Sequence, residues 1–83
     1  MKLVIDANIL FSALLKRGLT RRLLFDNRLR LYAPRFLFKE FGKYAQELRK
    51  KSGLTEIIFK KLSLGILARI SFLPDKEIAS FLP

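Results

Sequence analysis

Three short apolar runs, separated by stretches of helical period, set the strongest constraint on this chain. They are Leu3-Val4-Ile5, the alternating segment from Arg28 to Ala33, and Ile70 to Leu73 with Pro74 behind it. Strands that alternate with helices pair in parallel through right-handed crossovers, so an α/β fold with a small parallel sheet is expected. The first run is unbroken and β-branched, the composition of a strand covered on both faces. It closes on Asp6, a carboxylate at the carboxyl end of a strand. In open α/β sheets that end is where ligands bind. An ionised group buried there costs several kcal/mol to desolvate unless it is paired. Asp6 is therefore the first candidate site residue.

The intervening segments carry helix signals. Ala7 to Leu15 has helical spacing, with Lys16 and Arg17 at its end and Gly18 where a left-handed cap is wanted. Thr20 is expected to cap a second helix, with Leu19 and Leu24 as a hydrophobic staple. Pro34 suits the first position of a long helix through Lys51, which Gly53 stops. Leu54 and Thr55 repeat the staple and cap for a fourth helix to about Leu67, weakened by Gly65. Asp75 is expected to cap a last helix, Lys76 to Phe81. No linker or internal repeat interrupts residues 1–83, so a single domain is expected.

A second acid belongs with the first. On the Pro34 helix the apolar stripe is Leu37, Phe41, Tyr44, Ala45 and Leu48, and at about 100° per residue Glu40 lies on its border. That helix begins at the same sheet edge on which Asp6 ends a strand. Two half-buried acids meeting there repel each other unless a cation bridges them. With neither cysteine nor histidine in the chain, any such cation is held by oxygen, which favours Mg²⁺ or Mn²⁺ over zinc. Structural alternatives stand beside this reading: Glu40 paired with Lys43 or Arg35, and Asp6 capping the next helix with Asn8 sharing the task.

Charge narrows the partners. Residues 1–51 hold 13 Lys and Arg against four acids, whereas the rest of the chain is nearly balanced. A basic excess confined to one half favours a polyanion, nucleic acid ahead of a membrane surface, although it also serves solubility. No apolar stretch reaches the roughly 18 residues of a membrane span, and Lys2 is followed by only three apolar residues before Asp6, so neither an anchor nor a secretory leader is expected. The expected compartment is the cytoplasm.

The motif Ile5-Asp6-Ala7-Asn8-Ile9-Leu10, followed by Ser12-Ala13-Leu14-Leu15 and by Ala33-Pro34 leading into the Glu40 helix, resembles the start of a PIN domain, in particular the archaeal type. The resemblance extends over essentially the whole chain. It implies a PIN-like three-layer fold of about three strands and four to five helices, and a metal-dependent ribonuclease, often the toxin of a toxin–antitoxin pair. It assigns Asp6 and Glu40 as catalytic, metal-binding acids and Asn8 as the polar residue supporting the first. The further aspartates of the family have no counterpart here. Together with the apolar finish Phe81-Leu82-Pro83, this suggests a partial domain whose C-terminal part is missing. The first strand would then have an open edge, from which a homodimer or swapped oligomer is expected.

On that reading Mg²⁺ or Mn²⁺ assists hydrolysis of RNA, single-stranded by preference, and an antitoxin protein is a further partner. Lys16, Arg17, Arg21, Arg22 and Arg35 are candidates to guide the nucleic-acid backbone. Two rivals remain: a non-catalytic remnant that binds nucleic acid through its basic surface, and a pure assembly module.

Overall fold

The structure, a computed structural model, describes residues 1–81; Leu82 and Pro83, the apolar finish noted above, lie outside the described residues. The elements follow the expected order: β1 (Lys2–Val4), α1 (Ala7–Leu15), α2 (Leu19–Leu24), β2 (Arg30–Pro34), α3 (Arg35–Ser52), α4 (Glu56–Leu67), β3 (Ile70–Leu73) and α5 (Asp75–Ile78), with a 3-10 turn at Ala79–Phe81. The strands form one parallel sheet in the order β1-β2-β3. Leu3 stands beside Leu31, and Leu31 beside Ile70. The α/β fold, the parallel sheet and the five helices are thus as the sequence implies.

Because β2 is central and β1 an edge strand, β1 is covered less than its composition suggests. Leu3 and Val4 are half-buried, and only Ile5, just past the strand, is fully enclosed. Ile5 extends the pairing by donating its N–H to the carbonyl of Tyr32 at 2.7 Å. The core gathers Leu10 and Leu14 of α1, Leu24, Leu31, Ala33, Leu37, Leu48, Phe59, Ile66 and Ile70 around the sheet. Each fully buried leucine contributes about 1.5–3 kcal/mol of transfer free energy. Leu10 and Leu14 lie four residues apart, so they present one face of α1 to the sheet and α3.

Helix ends explain where boundaries differ from expectation. Thr55 caps α4, its hydroxyl accepting from the Ile58 N–H, and Gly53 ends α3 at φ +74°, where only glycine sits without strain. Other caps are not as expected. The residue before α2 is Gly18, extended rather than left-handed; Thr20 lies inside the helix and Leu19 is 80% exposed, so no staple forms. The carbonyl end of α1 is instead covered by Arg21, which donates to Ala13 and Leu14. Pro34 precedes α3 as its cap residue and closes β2, while Pro74 takes the position expected of Asp75, which falls in the first turn of α5. α4 continues through Gly65 to Leu67. No described helix is long and apolar enough to cross a membrane.

Candidate functional site

Parallel strands place all their carboxyl ends on one edge, and there a cleft of about 350 Å³ opens. Its walls come from the end of β1 and start of α1 (Ile5, Asp6, Asn8), from the start of α3 (Phe36, Leu37, Glu40) and from Ile78 of α5. Asp6 and Glu40, 34 residues apart in sequence, therefore line one cavity, as the topology requires of residues that follow adjacent parallel strands.

Asp6 differs from expectation in one respect. It is exposed rather than half-buried, because its backbone has already left the sheet in an extended conformation and its side chain turns to the start of α1. Water can cover it, so the desolvation cost anticipated for a buried acid does not arise. Its Oδ1 accepts from the Ile9 N–H at 2.9 Å and caps α1. That leaves Oδ2 without a hydrogen bond or ion pair among the described residues. Asn8, exposed on the first turn of α1, takes no part in the cap, and its amide is uncommitted as well.

Glu40 is half-buried on the second turn of α3, at the border of the apolar face. Neither Lys43 nor Arg35 pairs with it. The one ion pair among the described residues joins Arg28 to Asp26 elsewhere, and the Lys43 ammonium lies 5.5 Å from the ring centroid of Tyr44. The cleft thus brings together three polar side chains, two of them acidic, with oxygen atoms free to bind. Among the described residues no third acid joins them to make a larger metal-ligating group.

The basic candidates divide. Arg35, exposed and unpaired, is the first residue of α3 and lies in sequence between Pro34 and Phe36, which line the cleft. Lys16, Arg17, Arg21 and Arg22 lie beyond the far end of α1, whose nine residues span roughly 14 Å at 1.5 Å each. Arg21 is half-buried, holding the α1 carbonyls; desolvation and then the nearby Arg17 pull its guanidinium below the usual range. With Leu15, Leu54, Ile58 and Leu62, Arg17 and Arg21 line a separate groove.

Sequence reasoning passed over Phe36, a cleft residue that lies off the apolar stripe. The available signal was its spacing: four residues before Glu40, it falls on the same helix face.

No curated protein and no solved structure matches the chain. The sequence profile described as PIN domain matches residues 4–83, from the second residue of the β1 apolar run through the cleft and onward. By that match, over nearly its entire length, the chain belongs to the PIN domain family.

Proposed function

We propose that this protein is a metal-dependent nuclease that hydrolyses RNA, single-stranded by preference, with Asp6 and Glu40 as its acids. PIN domains are generally nucleases and typically use divalent metals. The observation that carries the reading for this chain is the cleft itself: two carboxylates from separate elements share one cavity and neither is neutralised by a basic partner.

The donor set fits a hard cation. All the uncommitted donors are oxygen, apart from the Asn8 amide nitrogen, and Mg²⁺ is commonly held by one or two carboxylates with water and substrate phosphate completing the shell. Asp6 through Oδ2 and Glu40 through its carboxylate would hold Mg²⁺ or Mn²⁺. When bound, the ion supplies charge neutralisation at the scissile phosphate and a lowered pKa for the attacking water. The chain's own contribution is positional. The cap hydrogen bond from Ile9 fixes the rotamer of Asp6, while the buried Leu37 beside Glu40 anchors the first turns of α3. Asn8 orients water or phosphate beside Asp6, and Arg35 offers a positive charge to the backbone.

Hydrolysis of a fluorogenic single-stranded RNA in Mn²⁺ tests the reading. Cleavage is expected with metal and not with chelator, and Asp6→Asn is expected to lower it at least 100-fold. Asparagine caps a helix as well as aspartate, so a loss of activity with an unchanged melting temperature separates chemistry from folding. Metal-independent cleavage, or full activity in Asp6→Asn, would overturn it.

A non-catalytic binder of nucleic acid is the second reading, favoured by the presence of two rather than three acids in the cleft. Salt-sensitive binding without cleavage would select it. In the cell the nuclease reading extends to the toxin of a toxin–antitoxin pair, tested by growth arrest on expression and its relief by Asp6→Asn. Pairing through the edge strand β1 is the route we propose for a homodimer, tested by light scattering at micromolar concentration.

A further inference from the structure

We infer that Phe36 is a stacking platform on which a nucleobase of a single-stranded substrate lies while its backbone passes Asp6 and Glu40; this rests on the nuclease reading of the cleft. Phe36 is the second residue of α3 and is 48% exposed, in the wall of the same cavity that holds the two acids and Asn8. It precedes Glu40 by four residues, so ring and carboxylate share a helix face, roughly 6 Å apart along the axis. Arg35, one residue earlier, is exposed and adds a positive charge to the start of the same helix.

The contrast with neighbouring aromatics is informative. Phe38 is still more exposed, at 55%, yet its ring packs edge-on against Phe72 with centroids 5.4 Å apart. Phe41 stacks on Phe59, and Phe11 meets Tyr44 edge-on. Phe36 has no ring partner among the described residues. It is a half-exposed ring in the wall of a largely apolar cleft that carries two acids, in a strongly basic chain. Single-stranded nucleic acid is bound by that combination, because every base offers a π-face and the basic surface tracks the phosphates.

Stacking of one base corresponds to a roughly 5- to 150-fold change in affinity on truncation to alanine, with little dependence on base identity. The chain contains no tryptophan, so Phe36→Trp introduces a single indole that reports directly on this position. Labelled single-stranded RNA and DNA decamers would be titrated, in chelator, into the parent, Phe36→Trp, Phe36→Leu and Phe36→Ala. We expect Phe36→Trp to bind at least as tightly as the parent, with its emission quenched by both nucleic acids. Phe36→Leu and Phe36→Ala should bind at least 5-fold more weakly at an unchanged slope of affinity against salt, because no phosphate contact is lost. Phe36→Leu keeps the apolar bulk and so separates stacking from folding.

Binding by Phe36→Ala within twofold of the parent overturns the inference, as does indole emission that is indifferent to nucleic acid. An indole already shielded from acrylamide before titration would mean that protein covers the position, and overturns it too. Quenching with no metal-dependent cleavage by the parent would leave the platform standing and remove the nuclease reading alone. Neither binding nor cleavage would remove both.

Discussion

The two ends of the sheet treat their polar groups in opposite ways. At the starting ends of the strands two charged side chains, Arg69 and Asp26, are tied to the fold by hydrogen bonds. Arg69, just before β3, donates to the carbonyls of Leu24, Asp26 and Leu29, closing the turn that leads into β2. Asp26 accepts from the backbone and side chain of Arg28, and the Met1 carbonyl accepts from the Arg30 N–H. At the finishing ends, Asp6 uses one oxygen for its cap, and Asn8 and Glu40 use none among the described residues. Backbone carbonyls drawn into a fold must be satisfied within it, and one arginine satisfies three at the starting end. Polar side chains at an exposed cleft can be satisfied by water, so the fold does not require protein partners for them.

The largest effects should therefore separate cleanly between the two ends. Glu40→Gln is expected to lower RNA cleavage at least 100-fold, equivalent to about 2.7 kcal/mol of barrier, while moving the melting temperature by no more than about 2 °C. Arg69→Met should do the reverse. It removes a charge-assisted clamp on three carbonyls and should cost about 2–4 kcal/mol of stability in urea unfolding. For a chain of this size each kcal/mol corresponds to roughly 4–8 °C in melting temperature. Its folded fraction should keep the parent's metal dependence. An Arg69→Met protein with parental stability, or a Glu40→Gln protein that melts far lower, would erase the distinction.

That division was half visible in the sequence. Asp6 and Glu40 could be placed because each depends on one local pattern: the end of a β-branched run, and the border of a helical stripe. Parallel topology then does the rest, since it carries the two to one edge whatever the loops do. The starting end was not legible. Arg69 reaches 40 to 45 residues back to carbonyls whose need for a donor arises only once α2 and β2 have been placed. Arg21 likewise looks on paper like any other member of a basic cluster, and only the position of α2 against α1 turns it to the α1 carbonyls. The caps at Gly18 and Pro74 lie two residues and one residue before the expected Thr20 and Asp75. Turn residues report that a helix begins nearby but leave its boundary open by a residue or two. The exposure of Asp6 was missed because a strand's composition says nothing of where its last paired residue falls.

The arginines offer an intermediate test. Arg35 is exposed and unpaired next in sequence to the cleft residue Phe36, whereas Arg21 is engaged with α1. Arg35→Ala is expected to make the log–log salt slope of RNA binding shallower by about 0.7, the value for one phosphate contact on a single strand. Stability should be unaffected. Arg21→Ala should leave that slope nearly unchanged and cost about 1–2 kcal/mol, since two helix-end carbonyls lose a donor. Equal slope changes in both variants would show that the basic surface beyond α1 is in contact with RNA after all.

The smallest effect belongs to Asp26, at the starting end. The side-chain hydrogen bond from Arg28, then the backbone N–H of the same residue, hold its carboxyl down at about 2, well below the usual carboxylate value near 3.8. A lowered folded-state pKa means that the unfolded chain takes up the proton first. The stabilisation is therefore complete above about pH 4 and is lost as pH falls from there toward 2. It should be slight, because the Arg28 side chain is 88% exposed and water and salt screen the pair. Asp26→Asn should accordingly melt a little below the parent at neutral pH, with the two curves converging between pH 4 and 2. Melting temperatures measured across that interval check it. Curves that stay parallel would mean that Asp26 adds nothing to this corner, leaving Arg69 to close the starting end alone and making the contrast with the open cleft depend on a single side chain.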